Sequence, residues 1–188
     1  MVSTAGGAVR DTDHLLRRNG ASGLIGRNRK SATVERRPRT RRPAWRYARG
    51  SAEWRGDLKG GEGNFALGNG EISASYTFKS RFEGEGPGSN PEELIGAAQA
   101  ACYAMQLAAM LGEAGTPATS IRATANVELR FVDDAPTITK IAIDATGDVP
   151  GISDDDFTAK AQEAKQACLI SRALAAVPEI TLEARLAS

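Results

Sequence analysis

The fold is decided by the stretch Ser89-Asn90-Pro91-Glu92-Glu93-Leu94-Ile95-Gly96-Ala97-Ala98-Gln99-Ala100-Ala101-Cys102, which begins a long apolar helix. Asn90 is a suitable N-cap, Pro91 suits the first helical position, and Glu93 completes an Asn-x-x-Glu variant of the capping box. The helix is predicted to end near Glu113, where Ala-Gly-Thr-Pro follows. Because its first half is rich in glycine and alanine, another backbone can approach closely, and we expect a central helix.

Strand signals on both sides of this helix predict an α+β fold. Alternating residues at 52–58, 64–67 and 72–78, separated by glycine-rich turns, predict a three-stranded meander, and 81–89 has the composition of a loop. Beyond the helix, 120–131 and 137–146 predict a long hairpin. A second helix follows over about 154–175 and could break near Cys168, before a last strand at 180–186. The order βββ, α, ββ, α, β indicates helices packed on antiparallel sheet.

The net charge of +1 conceals two unlike parts of the chain. Residues 1–47 hold 12 Lys and Arg against 3 Asp and Glu, whereas residues 48–188 hold 12 against 20. The basic segment has too few apolar side chains to offset its ordering entropy, so we expect a disordered tail at 1–47 and one folded domain at 48–188.

Three interpretations of the basic tail stay open, namely a solvated or upstream extra stretch, a nucleic-acid-binding arm and a targeting segment. The first is favoured because no aromatic interleaving accompanies the arginines, so nucleic acid is not an expected partner. We expect no membrane-spanning stretch by the criterion of roughly 20 uncharged apolar residues, and no signal-type apolar core, so no membrane association is expected. We therefore expect a cytoplasmic, reducing setting, in which a disulfide would be transient.

The single histidine, His14, lies in the basic tail, which leaves the domain without imidazole. This excludes Ser-His-Asp and Cys-His catalysis and histidine-based metal sites from the domain. The two cysteines, Cys102 and Cys168, are poor evidence for a zinc site, which would need two more soft ligands. Chemistry must come from thiol, carboxylate, guanidinium, amine or hydroxyl groups.

Cys102 is predicted to lie on an apolar, buried stripe of the long helix, because the helical period places it beside Ile95, Ala98, Met105 and Ala109. Two interpretations follow. A free cysteine often simply fills space in a core, whereas a reactive thiol needs a neighbouring cation that favours the thiolate.

Arg81 is the nearest candidate cation in the sequence, and Glu92 could hold it by a two-point ion pair. Either residue could equally be ordinary, Arg81 as a surface side chain and Glu92 as an acid at a helix N-terminus. Glu92 lies about 15 Å from Cys102 along the helix axis. It could therefore serve the thiol only through a long arginine or from a second chain.

These residues also carry a resemblance to a known family. The chain resembles the osmotically inducible protein C (OsmC) branch of the OsmC/Ohr family of hydroperoxide reductases over about residues 49–188. The matching stretches are 50–61 (Gly-Ser-Ala-Glu-Trp-Arg-Gly-Asp-Leu-Lys-Gly-Gly), 80–85 (Ser-Arg-Phe-Glu-Gly-Glu), 90–102, 110–115 (Met-Leu-Gly-Glu-Ala-Gly) and 149–152 (Val-Pro-Gly-Ile). The basic tail has no counterpart in the family.

The resemblance implies an OsmC-like fold, with antiparallel sheets on a long central helix and a second Cys-bearing helix, in an intertwined homodimer with sites at the interface. By motif match, Cys102 resembles the peroxidatic cysteine and Cys168 the resolving one, while Arg81 and Glu92 resemble the pair that activates the thiolate. The implied activity is reduction of alkyl or fatty-acyl hydroperoxides, without metal, haem, flavin or another cofactor, through a Cys102 sulfenic acid and a Cys102–Cys168 disulfide. A dithiol, with a lipoyl-type dithiol as a candidate, would reopen the disulfide.

One position departs from the family pattern. Proline usually follows the second cysteine, whereas Leu169 follows Cys168 here. Because proline would break the helix beside the thiol, this leucine is expected to affect the approach of Cys168 to Cys102. The alternative to a peroxidase is a binding protein on the same fold with inert thiols.

Overall fold

A computed structural model describes residues 47–187. Residues 1–46 lie outside this range, so the predicted basic tail stays a prediction. The elements follow in chain order as β1 (Gly50–Arg55), β2 (Glu62–Leu67), β3 (Ile72–Thr77), α1 (Phe78–Phe82), α2 (Pro91–Glu113), β4 (Ser120–Val132), β5 (Ala135–Asp148), α3 (Asp154–Ala167), α4 (Leu169–Ala173) and β6 (Glu179–Leu186).

The long helix α2 begins and ends where the sequence predicts. The Asn90 side chain accepts a hydrogen bond of 2.8 Å from the Glu93 backbone N–H, and Pro91 occupies the first helical position. The Glu93 carboxylate does not close a capping box as predicted; it accepts a 2.6 Å hydrogen bond from the Ser89 hydroxyl. This satisfies the acid within the preceding loop.

The α2 helix packs closely against β4. A Cβ atom at Gly96 would lie 2.6 Å from the backbone carbonyl oxygen of Ala125. Only glycine therefore fits at this crossing, as the small residues of the stretch predict. The buried positions of α2 are Glu92, Gly96, Gln99, Tyr103, Leu107 and Leu111.

The strands of residues 47–187 form two three-stranded sheets. In the first, β1, β2 and β3 make the predicted antiparallel meander, and in the second the order is β4-β5-β6. The β4 and β5 strands form the predicted hairpin, with an irregularity between Glu128 and Leu129. The expectation of purely antiparallel sheet is wrong for β6, which pairs with β5 in parallel. The chain crosses over through α3 and α4 before it returns to the sheet, and such a crossover produces parallel strands.

The core lies between β5 and the helices. Alternate residues of β5 are buried, and side chains of α2 and α3 cover them. The fully buried large side chains include Tyr103, Leu107, Leu111, Ile141 and Phe157. This core fixes the position of α2 relative to α3 and α4, which together carry both cysteines.

The short helix α1 is a departure from the predicted loop. Thr77 and Ser80 cap it reciprocally, since the Ser80 N–H donates to the Thr77 hydroxyl at 3.1 Å and the Thr77 N–H donates to the Ser80 hydroxyl at 2.9 Å. This Thr-x-x-Ser pattern is the sequence signal that the prediction missed. The helix carries Arg81 towards the start of α2.

The apolar stripe beside Cys102 is not buried, contrary to the prediction. Met105 is 75% exposed, and Ala98 and Ala109 are exposed as well, because α2 turns its other face to the core. The α2 helix is long and apolar enough to cross a membrane by length and composition, and 28% of its apolar stretch is buried. The expectation that no such stretch exists is wrong, although the core helix of a soluble protein can have the same length and composition.

Candidate functional site

The two cysteines, 66 positions apart in the sequence, meet in the structure. Cys102 lies at the middle of α2 and is partly exposed, whereas Cys168 lies between α3 and α4 and is fully buried. Both are free thiols, and the Cys102 side chain is a hydrogen-bond partner of the Cys168 sulfur. The packing of α3 and α4 against α2 produces this contact.

The backbone at Cys168 interrupts the second helix. Its φ of −57° and ψ of 124° leave the helical region, although its N–H still donates to the Ala164 carbonyl at 2.9 Å. The Cys168 carbonyl accepts from the Arg172 N–H at 3.0 Å, so a new helix begins at Leu169. The break that the sequence suggests near Cys168 is therefore present with leucine in the position where the family usually has proline.

Hydrogen-bond donors surround the Cys168 sulfur. Burial by itself raises the pKa of this thiol, but hydrogen bonds from the Ser171 backbone and hydroxyl, from Cys102 and from the Ile170 backbone outweigh it. The pKa of Cys168 consequently lies below its usual value. The groups that lower this pKa are neutral donors. The cation predicted from the sequence was assigned to Cys102 and not to Cys168.

Gln99 and Ser171, which lie near the thiols, were missed by the sequence analysis. The Gln99 side-chain amide is fully buried, and its Nε2 atom lies 2.7 Å from the Ser171 hydroxyl and 3.8 Å from the Cys168 sulfur. Gln99 is one helical turn before Cys102 in a run of glycine and alanine. An amide on the buried face of such a helix was the signal available in the sequence.

Tyr103 lies next to the same thiols, but its hydroxyl forms a hydrogen bond with a different group. It is fully buried and donates to the Ala161 carbonyl at 3.3 Å. Burial, and then the charge of Cys168, raise the pKa of Tyr103 above its usual range. Tyr103 is therefore a neutral phenol that ties α2 to α3.

The second part of the candidate site is a two-point ion pair between Arg81 and Glu92. The Arg81 Nη2 atom lies 2.7 Å from Glu92 Oε1, and Arg81 Nε lies 3.1 and 3.2 Å from the two carboxylate oxygens. The Glu92 side chain is 9% exposed and that of Arg81 is 37% exposed. The Arg81 guanidinium also stacks 4.9 Å from the centre of the Phe82 ring.

A cavity of about 300 Å³ opens beside this ion pair. Residues of α2 and β4 form its other walls, and its lining consists of Arg81, Asn90, Glu92, Glu93, Ala125, Asn126, Val127 and Leu129. It therefore combines one guanidinium, which faces an open space, with an apolar wall from β4. A small organic molecule with a polar end fits this chemistry.

The structure thus brings the four predicted residues together as two pairs. Arg81 meets Glu92 near the start of α2, and Cys102 meets Cys168 at the middle of this helix. Glu92 and Cys102 are ten residues apart on one helix, which separates the pairs by about 15 Å along the axis. Among residues 47–187, there is no group of three or more His, Cys, Asp or Glu residues that could hold a metal ion.

Comparison with known proteins identifies relatives of this chain. The family model described as OsmC-like protein matches residues 84–183. The chain is 48% identical over 143 residues to peroxiredoxin OsmC of Escherichia coli (strain K12), which covers 76% of this chain and 98% of that protein. It is also 28% identical over 120 residues to the uncharacterized protein YmaD of Bacillus subtilis (strain 168), covering 62% and 80% of the two chains.

Solved structures share the fold. An organic hydroperoxide resistance protein OsmC from Legionella pneumophila superposes with a TM-score of 0.60 at 18% identity, covering 78% of this chain and 100% of that one. The organic hydroperoxide resistance protein OhrB of Bacillus subtilis gives 0.57 at 17% identity, with 74% and 98% covered. The matched family model and the 48% identity lead to one conclusion: the chain belongs to the OsmC-like protein family.

Proposed function

We propose that this protein is a thiol peroxidase that reduces organic hydroperoxides with Cys102 and Cys168. The observation that carries the proposal is the contact between these two thiols across α2 and the break between α3 and α4. The 48% identity to a peroxiredoxin over most of the chain supports the same activity. Cys102 is the peroxidatic residue, since it is the partly exposed member of the pair.

The proposed reaction has three steps. The Cys102 thiolate attacks the distal oxygen of the hydroperoxide, the O–O bond breaks, and an alcohol leaves after gaining a proton. The Cys168 sulfur then attacks the sulfur of the Cys102 sulfenic acid, forming the disulfide and releasing water. A dithiol reductant finally returns two electrons to the pair by thiol–disulfide exchange, and a lipoyl-type dithiol has the required chemistry.

Arg81 and Glu92 are the proposed activating pair for the Cys102 thiolate. The buried carboxylate fixes the guanidinium by two hydrogen bonds, which leaves the remaining guanidinium face for a thiolate or a peroxide oxygen. Since Glu92 lies about 15 Å from Cys102 on the same helix, the pair is proposed to serve the thiol of a second chain. The substrate would then bind between the two chains.

The exposed apolar surface supports a homodimer as the assembled form. The α2 helix exposes Ala97, Ala101, Met105 and Ala108 along one face, and 28% of its apolar stretch is buried within the chain. The β1–β3 meander contacts mainly itself and α1, and Ile72 is 63% exposed. A second copy that covers α2 and the meander would bury both surfaces, as an intertwined dimer does.

The alkyl or fatty-acyl part of the substrate would contact this same apolar surface. Ile95, Ala98 and Met105 lie on the side of α2 that carries Cys102, and the partly exposed thiol is reached from there. A reducing, cytoplasmic location is proposed for a cycle that depends on a thiol reductant. Binding without thiol chemistry is the alternative function on the same fold.

The test is a titration of free thiols with tert-butyl hydroperoxide. The wild-type protein is expected to lose both free thiols for each equivalent of peroxide. In the Cys102→Ser variant, the remaining thiol of Cys168 is expected to react with the peroxide more slowly than the wild-type pair. Cys168→Ser should still consume one equivalent and then accumulate sulfenic and sulfinic forms of Cys102, which mass spectrometry distinguishes. Equal peroxide consumption by wild type and Cys102→Ser would contradict the proposal and favour inert thiols.

A further inference from the structure

The buried amide of Gln99 is not explained by packing alone. Its Oε1 atom has no hydrogen-bond partner within the described part of the chain, while Nε2 is directed at Ser171 and at the Cys168 sulfur. A buried amide that served only to link two helices would be expected to have both ends paired. Because only the Nε2 end of the amide has partners, we attribute the presence of Gln99 to its contacts with Ser171 and the Cys168 sulfur.

The donors around Cys168 form a connected set. Gln99 Nε2 donates to the Ser171 hydroxyl at 2.7 Å, so this hydroxyl is left to direct its own proton to the Cys168 sulfur. Tyr103 does not compete, since its hydroxyl is taken by the Ala161 carbonyl. Among the described residues, the groups that stabilise a negative charge on the Cys168 sulfur are therefore neutral hydrogen-bond donors.

We propose that Gln99 and Ser171 are positioning residues that make Cys168 the leaving thiolate when the disulfide is reduced, so that the reductant attacks Cys102. This rests on the proposed function, because it concerns the disulfide of that cycle. One thiolate of a dithiol reductant attacks the Cys102 sulfur, the Cys102–Cys168 bond breaks, and the electron pair leaves on Cys168. The second thiol of the reductant then displaces Cys102, which yields a cyclic disulfide and the reduced protein.

Burial and leaving-group stability favour the same direction of attack. Cys168 is fully buried, so a reductant reaches it poorly, whereas Cys102 is partly exposed on α2. In thiol–disulfide exchange the thiol of lower pKa leaves faster. The hydrogen bonds at Cys168 lower the free energy of its thiolate. Cys168 is therefore both the better leaving group and the sulfur that a reductant reaches poorly, so attack is favoured at Cys102.

The first experiment locates the attack. The disulfide is formed with diamide, which makes the test independent of peroxide chemistry. The protein is then treated with 2-mercaptoethanol, quenched with acid and mapped by mass spectrometry. The expected adduct is on Cys102. An adduct on Cys168 would overturn the proposal while leaving the peroxidase function intact.

The second experiment measures the leaving group. In Cys102→Ser protein, ultraviolet thiolate absorbance against pH should show that adding Gln99→Met or Ser171→Ala raises the pKa of Cys168, by roughly one unit for a lost hydrogen bond to a charged group. In proteins that retain both cysteines, the same substitutions should slow reduction of the disulfide by dithiothreitol roughly threefold.

The matched control is Gln106→Met, two turns further along α2. It is expected to keep the wild-type pKa of Cys168 and the wild-type rate of reduction. Circular dichroism melting identifies any variant that fails to fold, and Ser171→Ala then supplies the measurement on its own. Unchanged pKa and reduction rate in folded Gln99→Met and Ser171→Ala proteins would sink the inference.

Discussion

The Glu92 carboxylate receives hydrogen bonds from two nitrogens of the Arg81 guanidinium, and the carboxylate is the more buried partner. The pair joins two elements, since Arg81 lies on α1 and Glu92 in the first turn of α2. Its orientation depends on the planar fork of arginine, which lysine cannot reproduce. The arrangement therefore serves geometry as much as charge.

Arg81→Lys tests this geometry. The charge is kept, but the two-point contact with Glu92 is lost, so the second-order rate of Cys102 oxidation by peroxide is expected to fall roughly tenfold or more. Stopped-flow fluorescence or thiol titration measures the rate. Arg185→Lys is the control, because Arg185 forms an exposed pair with Asp144 at 2.9 Å. A wild-type rate in Arg81→Lys would remove the pair from the proposed machinery.

Gly96→Ala tests the contact between α2 and β4. The new Cβ would lie 2.6 Å from the Ala125 carbonyl oxygen, so we expect a loss of about 1–3 kcal/mol in the free energy of unfolding. Gly112→Ala on the same helix meets nothing within 4 Å and should stabilise by roughly 0.5–1 kcal/mol. Chemical unfolding at matched protein concentration measures both. Equal effects of the two substitutions would contradict the close contact.

Leu169→Pro tests whether the departure from the family pattern matters. The preceding Cys168 already has an extended ψ of 124°, and Leu169 is the first residue of α4, where proline is tolerated. We expect the free energy of unfolding to change by 0 to about +1 kcal/mol and disulfide formation to keep its rate. Ile170→Pro is the control; it removes a backbone N–H that donates to the Cys168 sulfur and should slow the reductive step. Slower disulfide formation in Leu169→Pro would show that the leucine has its own role.

Ala108→Glu tests the dimer. Ala108 is exposed on the apolar face of α2, and burial of an unpaired carboxylate there would oppose association. Sedimentation velocity is expected to show a shift from dimer to monomer, with loss of peroxide consumption. Ala159→Glu, at an exposed position of α3, is the matched control and should leave both unchanged. A monomeric wild-type protein would contradict the proposed assembly.

The acid side of the stability profile should depend on Glu128. Hydrogen bonds from Arg130 at 2.7 Å and from Thr139 at 2.6 Å lower the pKa of Glu128 from 4.5 to about 2. A lowered carboxyl pKa stabilises the folded state fully above about pH 4.5, and this stabilisation is lost as the pH falls towards 2. Urea unfolding across this window should show a steeper loss in wild type than in Glu128→Gln. If the free energy of unfolding fell equally steeply with pH in both proteins, Glu128 would be excluded as a source of the acid-dependent stability.

Local signals in the sequence were sufficient for most of the fold. The cap at Asn90, the hairpin and the meander follow from short-range rules, and each is present. The parallel pairing of β6 depends on where a crossover places the strand, which no local pattern reports. The helix α1 was missed because a Thr-x-x-Ser cap can be read as part of a strand and a loop.

For the candidate site, the sequence predicted four residues and the separation of about 15 Å between Glu92 and Cys102 along the helix, but not the side chains that surround the thiols. Arg81, Glu92, Cys102 and Cys168 were found from chemistry and resemblance, and the structure places them in two pairs. Gln99 was passed over because it was counted with the apolar helix, and its importance depends on a contact with Ser171, 72 positions later. The buried face of α2 was misassigned because both faces of this helix are apolar.

The parallel pairing of β5 and β6 has a consequence for how this domain can change. Parallel neighbours need a long connection, and here that connection is residues 149–178, which include α3, Cys168 and α4. The hairpin between β4 and β5 can be shortened or lengthened without touching the cysteines. The crossover cannot be shortened in the same way, because a deletion in it would displace both the edge strand β6 and the thiol of Cys168. Insertions and deletions among homologues should accordingly collect in the turns of the hairpin and meander and avoid this segment.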